Sequence, residues 1–246
     1  MLRDDVVGSR QLPVPELELE LDGRTALLEI PADARAVLML AHGAGAGMRH
    51  RFMAEIANAL TEHRVATLRW EFPYMAAGKA RPDSPAIAEA AVRATWNAAR
   101  SRVGDLPMFA GGKSFGGRMT SRAHAAQPLV DLRGLVFLGF PLHPADKPSI
   151  ERAAHLANAG GPMLFVQGTR DELAPLDTLR PVVRKLGRRA RLAIIEGADH
   201  GFDVLVRSGR TPQAVLDEIA TTIAAWLAEH AAPKRSNARR SRRTTG

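Results

Sequence analysis

Two hydrophobic rhythms alternate along most of this 246-residue chain, and that alternation limits the folds open to it. Short continuous apolar runs appear at "AVLMLAHG" (36–43), "RVATLRWEFP" (64–73), "PMFAGG" (107–112), "LRGLVFLGFP" (132–141), "PMLFVQGT" (162–169) and "RARLAIIEGA" (189–198). A strand that is apolar on every residue must be covered on both faces. Between these runs lie stretches with helical spacing: 48–63, 84–102, 118–127, 176–187 and 211–230. The second starts with Ser84-Pro85, a good helix entry. The fourth contains Pro181 and is expected to be interrupted or kinked there. The last carries Val215, Ile219, Ile223 and Trp226 on one stripe. Such alternation predicts an α/β fold: a mostly parallel sheet with helices on both faces. Ahead of it, "ELELEL" (16–21) and "TALLEI" (25–30) flank "DGR" and read as an N-terminal hairpin.

In a sheet of this kind, chemistry gathers at the carboxyl ends of the strands. The unusual residues fall there. Gly112-Lys113-Ser114-Phe115-Gly116 follows one strand and precedes a helix, and it fits G-x-S-x-G. A sharp strand-to-helix turn forces the serine into strained angles, and side chains at Gly112 and Gly116 would collide. A serine hydroxyl is a weak nucleophile unless a base reaches it and an acid orients the base. Asp171 follows the strand "PMLFVQ" and His200 follows "RLAIIEG", so serine, acid and histidine occur in the order this architecture uses. Glu172 and Asp177 are weaker candidates for the acid, and Asp203 follows the histidine too closely. For the oxyanion, the backbone N–H of Phe115 is one expected donor. The other comes from His42-Gly43-Ala44-Gly45, with Ala44 as first choice and Gly43 or Gly45 as neighbours. A dinucleotide loop with Glu71 as ribose acid is the rival reading of that stretch. Its glycines stand at 43, 45 and 47, which is not G-x-G-x-x-G, and it leaves the serine, aspartate and histidine unused.

Composition removes other classes. With no cysteine there are no disulfides, thiolate metal sites or cysteine nucleophiles. The eight histidines form no H-E-x-x-H, so neither a metal nor another cofactor is expected. No apolar run approaches a membrane span, and "MLRDDVVGSRQLPVPE" lacks the apolar middle of a secretory signal, so a cytoplasmic protein is expected. The formal net charge is +8, but "PKRSNARRSRRTTG" (233–246) carries six positives and no acid, which leaves about +2 for the rest. The expected organisation is one domain over 1–232 and a basic, disordered tail over 233–246. The tail could hold nucleic acid or an anionic surface weakly, through charge alone.

Together "LAHGAGAGM", "LRWEFPYMAAGKARPD", "GGKSFGGRM", "LGFPLHPADKP", "LFVQGTRDEL" and "ADHGF" make the chain resemble the dienelactone-hydrolase-like α/β hydrolases over about residues 35–230. Relatives in that family include a eukaryotic testis-expressed protein and a subunit of a histone-acetyltransferase complex. The resemblance implies the α/β-hydrolase fold, with Ser114 as nucleophile, Asp171 as acid and His200 as base. Dienelactone hydrolases themselves use a cysteine nucleophile, which this chain lacks. The expected activity is cleavage of a small ester or thioester; the alternative is a scaffold that keeps the fold without the chemistry. His42, Gly43, Trp70 and Tyr74 are expected around the pocket, with Phe72 a further candidate for its apolar wall; for at least one of these aromatics, packing against helices is the stronger expectation. Lys113 is expected to be solvated or salt-bridged. "PLHPADKPSIER" (141–152) is short for a lid, so only a minimal cover is expected.

Overall fold

A computed structural model describes residues 14–144 and 147–232. The basic tail, for which a weak charge-driven contact was expected, therefore lies outside the described residues. The chain enters through β1 (Glu16–Leu21) and β2 (Arg24–Glu29), paired antiparallel. Asp22 and Gly23 between them both have positive φ, 52° and 70°. Two left-handed residues in a row make the turn whose twist matches that of paired strands, and Asp-Gly is the pair that tolerates it. Six further strands follow: β3 (Ala36–Ala41), β4 (Val65–Trp70), β5 (Met108–Lys113), β6 (Leu135–Leu138), β7 (Met163–Gly168) and β8 (Ala190–Ile195). They lie in the order β1-β2-β4-β3-β5-β6-β7-β8, and every pairing from β4 to β8 is parallel. This is the α/β-hydrolase architecture that the sequence predicts.

Side-chain alternation along β3 shows why both faces need cover. Val37, Met39 and Ala41 enter one apolar cluster with α3 (Pro85–Arg100) and α4 (Phe115–Ala126). Leu38 and Leu40 enter another with α1 (Arg51–Glu62) and the long C-terminal helix, Pro212–Ala231. The expected stripe Val215, Ile219, Ile223 and Trp226 is buried in that second cluster. A third cluster joins β6 and β7 to a 3₁₀ turn (Glu151–Ala157) and to the helix Leu176–Leu186. In chain order the short helix Pro73–Ala76 is α2, Leu176–Leu186 is α5 and Pro212–Ala231 is α6.

Local expectation and structure differ at two helices. α5 runs through Pro181 without a break. The N–H that proline lacks would have reached the Asp177 carbonyl in the helix's first turn, so only one bond near its start is lost. α4 begins at Phe115 rather than at Arg118, so Gly116 and Gly117 are helical. Glycine is a poor helix residue, but a Cβ on Gly116 would lie 2.4 Å from the Ala41 carbonyl oxygen. Close packing decides the residue there, not propensity.

Arg69 on β4 is 1% exposed and pairs with Glu29 on β2 and Glu16 on β1. Its Nη1 also donates to the Met48 carbonyl, 3.1 Å away, which anchors the loop after β3. Burial pushes the Glu29 carboxyl up, and the Arg69 charge opposes that shift. Among the described residues no helix is long and apolar enough to cross a membrane.

Three histidines are held neutral by burial. His42 accepts the Phe72 N–H at Nε2 (3.2 Å), which leaves Nδ1–H to donate to the Gly43 carbonyl (2.7 Å). His124 accepts the Leu129 N–H. His155 sits 2.8 Å from the Ser121 hydroxyl. Burial is the largest cause of the downward shift for all three, and the nearby Arg122 and Arg118 charges help bring His155 to about 4. Each folded pKa lies below the unfolded one. As pH falls, the unfolded chain takes up these protons first, so stability is lost below about pH 6.5. Glu29 acts in the opposite sense, at lower pH. The melting temperature is expected to drop by several degrees between pH 6.5 and pH 5, before most carboxylates titrate. Calorimetric scans across that window check it, and a flat profile would contradict the neutral-histidine reading.

Candidate active site

β3 and β5 are neighbours in the sheet, but the chain leaves them toward opposite edges, with β4 on one side and β6 on the other. A crevice opens at the carboxyl ends of such a strand pair. The loop after β3 and the turn after β5 both lie there.

The turn after β5 is strained at one residue. Ser114 has φ 48° and ψ −111°, a region that side chains other than hydrogen rarely occupy, at a cost of about 1–3 kcal/mol. Its N–H donates to the Leu138 carbonyl (3.0 Å), and its own carbonyl accepts the Arg118 N–H (3.1 Å). Gly112 pairs with Ala41 across the sheet, and a Cβ on Gly112 would lie 2.1 Å from the Ala41 carbonyl oxygen. Both glycines expected at the turn are therefore demanded by the approach of one backbone to another.

His200 and Asp171 arrive on the loops after β8 and β7. Those loops are laced together: Arg170 N–H donates to the Ala198 carbonyl (2.8 Å), and Gly168 packs so closely that a Cβ there would lie 2.2 Å from it. The lacing brings His200 Nδ1 to 2.8 Å from Asp171 Oδ2 and His200 Nε2 to 2.9 Å from Ser114 Oγ. A carboxylate only accepts, so Nδ1 carries the proton and Nε2 faces the hydroxyl as an acceptor. Gly139, with φ 65°, lies beneath this meeting point. A Cβ there would stand 3.3 Å from His200 Nδ1 and 3.4 Å from Asp171 Oδ2.

Asp171 is 2% exposed. Its Oδ1 accepts the Leu173 N–H (2.9 Å). Its Oδ2 also receives the side-chain amide of Gln167, and Gln167 Oε1 accepts the Phe140 N–H at 3.1 Å. Gln167 thus sets the carboxylate's orientation from inside β7. Nothing in the sequence pattern marks it except a polar residue at the end of an apolar strand. Glu172 is exposed and Asp177 sits at the start of α5, so neither shares the cluster. Asp203 lends its N–H to the Asp199 carboxylate (3.0 Å) and shapes the histidine loop instead.

At this edge the backbone N–H groups of Phe115 and Ala44 have no acceptor among the described residues. The loop carrying Ala44 is exposed at residues 44 and 45, and left-handed at Gly45 and Gly47, both φ 73°. Tyr74 supports it, its hydroxyl accepting the Gly45 N–H at 2.9 Å. His42 bonds the Gly43 carbonyl beside it.

The expected pocket wall is placed differently. Trp70 is 2% exposed within the apolar cluster of β4, its ring 4.5 Å from that of Phe72. His42 and Tyr74 are also buried, at 0% and 1%. These rings form the backing of the site rather than an open wall, because the tail end of β4 turns straight into α2 and folds inward. Gly43 is buried too, against Lys113. Lys113 is half-buried and is not joined to an acid at salt-bridge distance. Its ammonium donates to the His200 carbonyl and lies against the rings of Phe202 and Phe52. Burial brings it down to about 8, against the pull of Asp171 and then Asp199. Among the described residues no three His, Asp or Glu side chains gather as a metal cage.

The family model for the α/β hydrolase domain matches residues 34–228, and the chain belongs to that family. A crystal structure of dienelactone hydrolase from Anabaena variabilis superposes with TM-score 0.70 and 19% identity, over 90% of this chain and 100% of that one. An α/β serine hydrolase without a lid, from Xanthomonas campestris, gives 0.67 and 18%, over 90% and 98%. In sequence, a Mycobacterium tuberculosis protein provisionally named a phosphoribosyl transferase is 25% identical over 236 residues. That match takes in 93% of this chain, and the chain spans about half, 47%, of the relative's length.

Removing the Gln167 amide should loosen the acid and strand the Phe140 N–H. Gln167→Leu is expected to destabilise the fold by about 1–3 kcal/mol, the cost of a buried donor left unpaired. Urea unfolding measures it, and an unchanged midpoint would mean that the amide holds nothing in place.

Proposed function

We propose that this protein is a serine hydrolase that cleaves small esters or thioesters through an acyl-enzyme. One observation carries the reading: a strained serine at a glycine-bounded turn, hydrogen-bonded to a histidine that is hydrogen-bonded to a buried aspartate. In the proposed reaction Ser114 Oγ attacks the carbonyl carbon while its proton passes to His200 Nε2. Asp171 stabilises the imidazolium and holds it in place. The tetrahedral oxyanion takes hydrogen bonds from the Phe115 and Ala44 N–H groups. Collapse breaks the bond to the alcohol or thiol, which leaves with the proton from His200. Water, deprotonated by His200, then attacks the acyl-enzyme and releases the acid and Ser114 Oγ–H.

The acyl and leaving groups stay general. Between β6 and β7 the described residues hold only a 3₁₀ turn, Glu151–Ala157, which supports a lightly covered site. Nearness to dienelactone hydrolases belongs to the same proposal, with serine in place of their cysteine. A scaffold role is disfavoured by keeping a strained serine aligned with a base, since strain without use is only a cost. The transferase name belongs to a protein about twice as long, and it is not carried over. A cytoplasmic setting fits the absence of cysteine.

Ser114→Ala is expected to cut kcat on p-nitrophenyl acetate by at least about 10⁴-fold and to leave the melting temperature the same or higher. Wild-type protein should be labelled by a fluorophosphonate at Ser114, and the variant should not. Full activity in the variant would assign the nucleophile elsewhere. An unreactive wild type would favour the scaffold.

A further inference from the structure

Lys113 stands next to the nucleophile, yet no step of the proposed reaction uses it. Its surroundings are specific. The side chain leaves the last residue of β5 and passes Gly43, where a Cβ would lie 3.5 Å from Lys113 Cγ. It ends at the loop that carries His200, and donates to that residue's main-chain carbonyl. The ammonium lies 5.3 Å from the ring centre of Phe202 and 6.0 Å from that of Phe52. Those two rings stack 5.5 Å apart and 10° from parallel, joining α1 to the histidine loop.

The loop held in this way is itself strained. Phe202 has φ 71°, a left-handed conformation that is costly for an aromatic residue. The turn is closed locally by Asp199, whose carboxylate accepts the N–H groups of Gly201 (2.8 Å) and Asp203 (3.0 Å). Local bonds close a turn but do not fix where it sits over the sheet. Besides the lacing to the loop after β7, two contacts do so: Phe202 on Phe52 and Lys113 on the His200 carbonyl. One of these reaches back to the residue that precedes the nucleophile.

We propose that Lys113 is a positioning residue: its ammonium straps the main chain of His200 to the end of β5, and so fixes the Ser114–His200 distance on which proton transfer depends. The proposal rests on the hydrolase reading and deepens it. A charged donor gives a stronger hydrogen bond to a carbonyl than a neutral amine, and it also holds the aromatic faces. The charged and titratable groups facing Lys113 are Asp171 from the loop after β7, and Asp199 and His200 from the loop after β8. α1 offers only the Phe52 ring, and the loop after β3 only Gly43. Burial brings the lysine to about 8. The ammonium is therefore present below that pH and is lost as pH rises through it, so the strap weakens on the alkaline side.

Kinetics on p-nitrophenyl acetate test this with Lys113→Met and Lys113→Arg. Misplacing a catalytic group by about 1 Å costs on the order of 10²-fold. Lys113→Met is therefore expected to lower kcat by about 10–100-fold with KM changed less than about 3-fold. Wild-type kcat should fall above pH 8. That limb should be absent in Lys113→Met, and in Lys113→Arg it should move beyond pH 10, with part of the rate restored. The low-field proton resonance of His200 Nδ1–H should exchange with water faster in Lys113→Met than in wild type. Unchanged kcat, pH profile and exchange in Lys113→Met would overturn the proposal. If Lys113→Met does not fold, the alkaline limb of wild type and its displacement in Lys113→Arg decide the matter. If wild type neither turns over nor reacts with a fluorophosphonate, the hydrolase reading fails separately. The exchange rate alone then tests the strap, and equal rates would refute it.

Discussion

The carbonyl oxygen of Ala41 is the point around which the site is built. It ends β3, and three features of the Ser114 turn press against it or pass beside it. Gly112 approaches from the paired strand, Gly116 from the first turn of α4, and Ser114 lies between them with its backbone forced to positive φ. A Cβ at either glycine would have to lie within 2.4 Å of that oxygen. The helix can start directly after the strand only because both Cβ atoms are missing. A longer connection would relax Ser114, but it would also turn the hydroxyl and the Phe115 N–H away from the sheet edge. The strain of about 1–3 kcal/mol is tolerable because the apolar clusters on both faces over-determine the position of β5.

A second constraint acts through Asp171. The carboxylate is buried, so its charge must be met by donors, and the fold supplies them from three directions: the Leu173 N–H, the Gln167 amide and His200 Nδ1–H. Gln167 is fixed in turn by the Phe140 N–H, so the residue after the Gly139 turn helps to aim the acid. The left-handed Gly139 and the closely packed Gly168 let β6, β7 and the histidine loop converge without side chains between them. The acid's orientation is thus a property of the strand ends and of the hydrogen bonds that meet there. That is where a proton relay needs its fixed member.

How much of this could be read beforehand follows from the range of each interaction. The hairpin turn at Asp22-Gly23 and the succession of apolar runs along the chain depend on local rules, and both are visible in the sequence. So is the G-x-S-x-G turn, since its glycines answer a clash within five residues. Asp171 and His200 could be chosen because strand ends converge in this architecture. The environment of Lys113 could not be read, because it depends on a carbonyl 87 positions away. Gln167 stayed hidden for the same reason, as did the bond from the Gly45 N–H to Tyr74, a residue expected only as a pocket ring: their partners are set by packing. Trp70 misled because an aromatic at a strand's carboxyl end reads as a pocket wall, whereas it is buried in the apolar cluster against the Phe72 ring. The helical state of Gly116 and Gly117 in the first turn of α4 ran against propensity, which yields where backbones touch.

The buried rings around β4 then take on a role other than lining. His42, Phe72, Tyr74 and Phe115 pack in a continuous group of edge-to-face, tilted and stacked rings. His42 bonds the Gly43 carbonyl, Tyr74 takes the Gly45 N–H, and Arg69 takes the Met48 carbonyl. Three of the loop's backbone groups are thus satisfied from below by buried side chains, while Ala44 stays exposed between them with its N–H unspent. In the proposed reaction that is the arrangement a developing oxyanion requires. The donor is already oriented, so it does not reorganise as charge appears, and the energy of fixing it is drawn from the core rather than from the substrate. Selectivity for a particular acyl group must then come from other residues at the rim, because these rings are too deeply buried to touch it.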